Sequence, residues 1–344
     1  MNGDPDIELV LFRGFAGSSH VCVAGRVMRR SHLVPTQQSL RWRRRLRDAW
    51  RLLVSRRVPA TRIELRHGDR VWQTLTDGHG YFFSCHPSPS PPDAHWSRYQ
   101  ARLLDSGENG AVAGANDVLH APAEADYLVI SDIDDTIVYT GVANKLRMLW
   151  RMYLARGRQR APFPGMGAFL RELHQGPSGR AHNPIVYVSR SPWSLYPTLE
   201  EFFQDHRLPI GPVLLLRDWV ITLRHPFPRR AEDHKASMID RVLHSAPDLP
   251  VILIGDSGQH DPETYAAAVQ RHAPRVLAVY IRDLSLSAGR SRELVQLGSR
   301  LEASGVRFLA ANNTRDMAEH AAAQGWIGAG KRQAVQRDAE HDEV

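Results

Sequence analysis

Two rhythms divide the chain. Over roughly the first hundred residues, apolar and polar side chains alternate in short runs, the period of a strand with one buried face. Ser19–Met28 alternates in this way, as do Thr61–Arg66 and Trp96–Asp105. Val71–Thr76 runs into the turn sequence Asp77-Gly78-His79-Gly80, and Tyr81–Ser84 follows as the expected partner strand. Short strands at this spacing predict a β-rich, sandwich-like domain over residues 1–120. The Pro/Ser-rich run Pro87–Asp93 reads as a surface loop. One amphipathic helix interrupts the strands, over residues 38–55. Trp42, Leu46, Ala49, Trp50 and Leu53 share a face, and Arg41, Arg43, Arg44, Arg45, Arg47 and Arg51 fill the remainder. Such a helix either packs its stripe on the strands or lies on an anionic membrane surface.

The segment Asp105–Glu124, rich in Gly, Ala, Asn and Pro, reads as a linker. Strands then alternate with helices. The pattern predicts strands at Tyr127–Ile133, Ile185–Ser189, Val213–Leu216, Val251–Ile254, Val276–Ile281 and Val306–Ala310. Helices fall near Gly165–His174, Ser194–His206, Glu232–His244, Pro262–His272, Arg290–Ser304 and Thr314–Gln324. This alternation implies an α/β domain over residues 121–329, a Rossmann-like, doubly wound parallel sheet covered on both faces. Ligands of such sheets sit at the carboxyl ends of the strands. Residues 330–344 read as a disordered tail.

Composition adjusts this picture in three places. A length of 344 residues suits two domains, and 42% apolar residues suffice for two ordinary cores. The formal charge of +7 favours anionic partners: phosphate esters, acidic lipid or nucleic acid. Almost all of the positive charge is arginine, so Lys145, Lys235 and Lys331 stand out. Cys22 and Cys85 read as isolated thiols, neither a disulfide framework nor a zinc site. No signal peptide is read at the start, and no run approaches the ~18 apolar residues of a membrane span. The expectation is a cytoplasmic protein whose membrane contacts, where they exist, are peripheral.

The densest chemistry is at the end of the first apolar strand of the second region, Tyr127-Leu-Val-Ile-Ser-Asp132-Ile-Asp134-Asp135-Thr136. Residues two apart on an extended chain face the same way, so Asp132 and Asp134 can share one site. Carboxylates this close raise one another's pKa unless a cation joins them. Mg²⁺ is the expected cation, because it takes a few oxygens and keeps several waters. Other predicted strand ends and helix starts supply Ser189 with Arg190, then Lys235, then Gly255-Asp256 with Asp261. Singly, each has an ordinary explanation: a capping hydroxyl, a solvated lysine, a turn-forming aspartate. Receiver domains also join paired aspartates, a hydroxyl and a lysine, but they place the phospho-accepting aspartate on a later strand than the acidic pair.

The set Asp132-x-Asp134-x-Thr136, Ser189, Lys235, Gly255-Asp256 and Asp261 resembles the haloacid-dehalogenase-like phosphohydrolases. The longer strings Ser-Asp-Ile-Asp-Asp-Thr-Ile (131–137), Ser-Arg-Ser-Pro-Trp (189–193) and Gly-Asp-Ser-Gly-Gln-His-Asp-Pro-Glu (255–263) resemble the phosphatidate phosphatase family of the actin-patch-associated type, whose catalytic domain is related to that of lipins. The resemblance implies that Asp132 is a covalent nucleophile forming an aspartyl phosphate. It implies that Asp134 is the general acid and base, that Thr136 steadies the loop, and that Ser189 binds a phosphoryl oxygen. Lys235 would neutralise charge on the nucleophile and the transferring group. Mg²⁺ would be held by Asp132, the backbone carbonyl of Asp134, and Asp256. Asp261 would lie outside the metal's direct ligands or fix its loop; Asp135 reads as structural or as a support to those ligands, and Arg190 either as a phosphate contact or as half of a surface ion pair.

Residues 141–164 then read as a short helical cap insertion. It carries six basic side chains, Lys145, Arg147, Arg151, Arg156, Arg158 and Arg160, beside Leu146, Leu149, Trp150, Tyr153 and Leu154. A short cap leaves a site open to a large substrate, and the basic and aromatic mixture suits an interfacial one. Phosphatidate is the substrate that the resemblance implies, giving diacylglycerol and phosphate. Two alternatives are a phosphatase for nucleic-acid ends or phosphoproteins, and a catalytically idle peripheral membrane-binding or scaffold protein.

Overall fold

The structure is a computed structural model that describes residues 7–29, 56–87, 94–104, 112–134, 136–137, 163–216, 231–284 and 287–342. The helix expected over 38–55, the cap insertion up to residue 162 and Asp135 lie outside these residues.

In the N-terminal region β1 (Ile7–Ala16) pairs antiparallel with β2 (His20–Arg29), and β3 (Arg56–Arg57) pairs with the end of β2. β4 (Arg62–His67) lies between β5 (Arg70–Leu75) and β7 (Trp96–Leu103). β6 (Tyr81–Pro87) pairs with β2, and β8 (Ala113–His120) runs between β7 and β1. The eight strands form one hydrogen-bonded sheet of order β3-β2-β1-β8-β7-β4-β5, with β6 alongside β2. The expected sandwich is thus a single continuous sheet. A parallel pairing of Gly14–Ala16 with Val118–His120 joins what would have been two halves.

Three expectations change here. The run after the Asp77 turn does not return along β5, because β5 pairs with β4 and β6 with β2. Asp77 Oδ1 accepts from the His79 and Tyr81 backbone N–H groups, and Gly80 takes φ 81° so that its carbonyl can bond Val27. A Cβ at Gly80 would sit 2.4 Å from the Val27 oxygen, so the diversion requires glycine. Second, β8 occupies sequence expected to be linker. Its Ala-Gly-Ala-Asn start lacks the bulk that marks a strand in sequence, and β7 and β1 supply the pairing instead. Third, Cys22 and Cys85 form a disulfide, because register places them opposite each other on β2 and β6.

The second region is a six-stranded parallel sheet: β9 (Leu128–Asp132), β10 (Ile185–Pro192), β11 (Val213–Leu216), β12 (Val251–Asp256), β13 (Val276–Arg282) and β14 (Arg307–Ala311). Its order is β11-β10-β9-β12-β13-β14, so the winding reverses between β9 and β12. One face carries α1 (Met166–Gln175), α2 (Tyr196–Asp205), α6 (Thr314–Ala323) and α7 (Arg332–Asp342). The other carries α3 (Ala231–Ser245), α4 (Asp261–His272) and α5 (Ala288–Ala303). The strands read as unbroken apolar runs because both faces are buried. Val129 and Ile252 point to one core, Leu128 and Leu253 to the other. The tail expected to be disordered is largely the helix α7, whose Val335 is fully buried beside α1.

The two sheets meet closely. Phe12 of β1 stacks on Trp193 with ring centroids 3.8 Å apart and touches Tyr196, while Arg13 pairs with Glu200. Phe15 joins the core beneath α3.

Inside the N-terminal sheet, Ser97 Oγ lies 2.5 Å from His67 Nε2 and 2.6 Å from His120 Nε2. Burial, then the neighbouring His67, pushes His120 down to about 4, and burial lowers His67 as well. Above pH 6.5 the group is neutral in both folded and unfolded chains. As pH falls from there towards 4 the unfolded chain binds the proton first, and stability drops. The unfolding temperature of the wild type is therefore expected to fall by a few °C more than that of His120→Gln between neutral pH and pH ~4.5. Parallel pH profiles of the two proteins in thermal melts would contradict this.

Candidate metal-dependent active site

The reversal between β9 and β12 sets the position of the site. β9 ends at Asp132, β10 pairs Val188 with Asp132 so that Ser189 follows directly, and β12 ends at Asp256. Lys235, in the first turns of α3, and Asp261, the first residue of α4, complete the ring. All are buried. Asp132, Asp256 and Asp261 have no exposed surface, and Asp134, Thr136, Ser189 and Lys235 very little.

Hydrogen bonds hold each group. Lys235 Nζ donates to Asp132 Oδ1 at 2.6 Å and also binds Asp261 Oδ1. The other Asp261 oxygen accepts from the Asp256 backbone N–H at 3.3 Å. Asp256 Oδ1 accepts from the backbone N–H groups of Gly258 and Gln259, at 2.7 and 3.0 Å. Ser189 Oγ donates to Asp134 Oδ2 at 2.6 Å. Gly255 permits this closeness, since a Cβ there would lie 2.5 Å from Asp261 Oδ2 and 2.7 Å from the Tyr265 ring.

Charge is out of balance. Four buried carboxylates (Asp132, Asp134, Asp256 and Asp261) face one buried ammonium among the described residues, Lys235. Burial, and then Asp261, drive the Asp132 carboxyl well above its usual range. Lys235 opposes this, and Asp134 and Asp256 add to it. Burial alone would lower Lys235, but Asp132 and Asp261 outweigh it and hold the amine charged. A divalent cation would reverse the penalty on Asp132. Oxygens of Asp132, Asp256 and Asp261 lie within 4.8 Å of one another, close enough to share an ion. Asp132 Oδ2 is buried with no hydrogen-bond partner among the described residues. Together these features fit an oxygen-liganded cation.

All the residues expected at the site except Asp135, which is not described, lie at this end of the sheet. Asp261 is the residue that differs most from expectation in its surroundings. It lies inside the acidic cluster rather than beyond it, although Lys235 and the Asp256 backbone occupy its two oxygens. Arg190 is half-buried on β10. Thr136 Oγ1 is buried without a partner among the described residues. Sequence reasoning assigns no role to Gln259, yet its amide lies 3.4 Å from the Asp134 carbonyl and 3.5 Å from Asp256 Oδ2, bridging the ends of β9 and β12. Its only signal is its place within the string 255–263.

A doubly wound sheet with buried acidic groups and a lysine at the topological switch defines an α/β protein with a candidate metal-holding site at the carboxyl ends of its strands. Residues 127–283 match the family described as "Phosphatidate phosphatase APP1, catalytic domain". Phosphatidate phosphatase APP1 of Saccharomyces cerevisiae is 31% identical over 159 residues, 46% of this chain and 26% of that protein. An uncharacterized protein of Schizosaccharomyces pombe is 29% identical over 156 residues, 45% of this chain and 25% of that protein. The chain thus spans about a quarter of the length of these relatives. Among solved structures, a carbohydrate acetylesterase from Xanthomonas citri aligns over 97% of this chain and 74% of its own, with 12% identity and a TM-score of 0.33. An α-galactosidase-like protein from Bacteroides fragilis aligns over 93% and 55%, with 8% identity and a TM-score of 0.24. Likeness at that level carries neither fold nor function.

Lys235→Met would leave the buried carboxylates without their counter-charge. Metal-free protein should then lose about 3–5 kcal/mol of stability. Denaturant unfolding in EDTA measures this, and an unchanged midpoint would exclude the network as drawn.

Proposed function

We propose that the chain is a Mg²⁺-dependent phosphomonoester hydrolase of the haloacid-dehalogenase-like kind, with phosphatidate as substrate and an aspartyl phosphate on Asp132 as intermediate. The observation that carries this reading is the buried convergence of Asp132, Asp256, Asp261 and Lys235 at the switch point, within the segment matching a phosphatidate phosphatase catalytic domain. In this reading residues 121–329 are the catalytic domain and residues 1–120 an accessory one.

Asp132 attacks phosphorus with a carboxylate oxygen, and the bond from phosphorus to the diacylglycerol oxygen breaks. Asp134 gives its proton to that oxygen as it leaves. The Asp134 carboxylate then takes a proton from water, which attacks the aspartyl phosphate and releases inorganic phosphate. Ser189, which holds Asp134 Oδ2 in the resting site, is placed to turn its hydroxyl to a phosphoryl oxygen. Lys235 keeps one oxygen of Asp132 fixed and offsets the charge gathering around phosphorus. Asp132, the Asp134 carbonyl and Asp256 would hold the Mg²⁺, which would supply further neutralisation of phosphoryl charge. Asp261 anchors Lys235, so its contribution is to position the amine rather than to touch the substrate.

Phosphate release across phosphatidate, nucleotide, nucleic-acid-end and phosphopeptide substrates tests the assignment. Turnover should be greatest with phosphatidate, should cease in excess EDTA, and should return with Mg²⁺. Asp132→Asn should lower kcat by at least about 10³-fold with the fold intact by circular dichroism. Undiminished release in that variant would refute the nucleophile. Release confined to nucleic-acid ends or phosphopeptides would replace the lipid substrate.

A further inference from the structure

Gln259 makes contacts that compete with the role proposed for its neighbours. Its Nε2 lies 3.4 Å from the Asp134 carbonyl oxygen and 3.5 Å from Asp256 Oδ2. Asp134 and Asp256 are two of the three residues assigned to Mg²⁺. The third, Asp132, keeps Oδ2 buried without a hydrogen-bond partner among the described residues. One amide nitrogen carries two hydrogens, so it can serve both oxygens at once. Both contacts are at the long end of the hydrogen-bond range, which makes them weak and readily exchanged.

The backbone that carries this side chain is fixed. Asp256 Oδ1 accepts from the Gly258 and Gln259 N–H groups, at 2.7 and 3.0 Å. From α5, Arg290 Nε donates to the Ser257 carbonyl at 3.0 Å and Arg290 Nη2 to the Gln259 carbonyl at 3.1 Å. Glu263 in turn accepts from Arg290 at 3.2 Å. The Gln259 side chain is only half-buried, and the neighbouring His260 is exposed. Its carboxamide can therefore turn towards solvent while the loop and Asp256 stay in place. The amide hydrogens carry positive partial charge. A divalent cation held by the Asp134 carbonyl and Asp256 Oδ2 would face them at close range, and a cation attracts these oxygens far more strongly than a neutral amide does.

We propose that Gln259 is a positioning residue that holds the Asp134 carbonyl and Asp256 Oδ2 for Mg²⁺ and is displaced when the ion binds. This role rests on the Mg²⁺ reading given above and adds to it a side chain that competes with the ion. By bonding two ligand oxygens in advance, the amide stabilises the chain without metal and leaves the metal-bound form unaffected. The ion must displace those contacts, so its affinity for the wild type is lower than the ligands alone would give. The two quantities are linked. Whatever factor Gln259 adds to the stability of the metal-free chain is lost from metal affinity.

The test measures binding of Mn²⁺, a substitute for Mg²⁺ visible by electron paramagnetic resonance, to the full chain. Urea unfolding in EDTA and in saturating Mg²⁺ accompanies it. Wild type should bind Mn²⁺ at the site, and Asp256→Asn should bind it at least about tenfold more weakly. Gln259→Leu, which fills similar space without donors, should bind about five- to tenfold more tightly than wild type. It should also lose stability in EDTA but not in saturating Mg²⁺. Gln259→Asn, whose amide is one methylene short of the two oxygens, should shift the same way and decides the matter if the leucine variant fails to fold. Unchanged affinity with equal loss of stability in both conditions would mean a packing role, and weaker binding would make Gln259 itself a ligand. Either result overturns the proposal while leaving the metal site standing. Mn²⁺ bound equally by wild type and Asp256→Asn, or not bound at all, would instead remove the metal site, and the role of Gln259 with it.

Discussion

Everything in the parallel sheet is arranged around a concentration of negative charge that water cannot reach. Among the described residues four carboxylates are buried against a single ammonium, and each buried ion costs several kcal/mol to remove from water. Such a cluster is tolerable only when its groups are fixed and paired. The strand ends provide the fixing: β9, β10 and β12 are neighbours whose carboxyl ends fall level. The pairing comes from Lys235, from the backbone N–H groups of Gly258 and Gln259, and from Ser189. What is left over among the described residues, an unpartnered oxygen on Asp132 and surplus negative charge, would suit a divalent cation.

The position of Lys235 depends on α3, and α3 is held at both of its ends. Near its start Lys235 is drawn into the acidic ring, while its last turn is bonded to the β1–β2 turn of the N-terminal sheet. The stack of Phe12 on Trp193 docks the same sheet beside α2, immediately after the strand end that presents Ser189. The N-terminal sheet therefore bears on two of the groups around the site and, among the described residues, contributes no side chain to it. Among the described residues no helix is long and apolar enough to cross a membrane.

Much of this was legible in the chain. Strands buried on both faces must be apolar without alternation, so β9 to β14 were readable within a few residues, and the amphipathic helices between them likewise. Asp132, Asp134, Ser189 and Asp256 stand out in the sequence because each closes or follows such a run, and Lys235 because lysine is rare in this chain. The N-terminal sheet was read less well because its pairings are long-range. β6 reaches β2 across some sixty residues, and β8 is held by neighbours rather than by strand-forming side chains. Gln259 carried no mark of its role, since its amide acts only where β9 and β12 lie side by side.

The sequence by itself determined the alternation of elements, the excess of acid at one strand end and the rare lysine that answers it. All three are local: they follow from the period of apolar residues and from which side chain comes next. Only the tertiary structure decided that Cys22 faces Cys85 and that Asp261 belongs inside the acidic ring. Those are meetings between segments far apart in the chain. Their distances are set by strand register and helix docking, which no local pattern specifies.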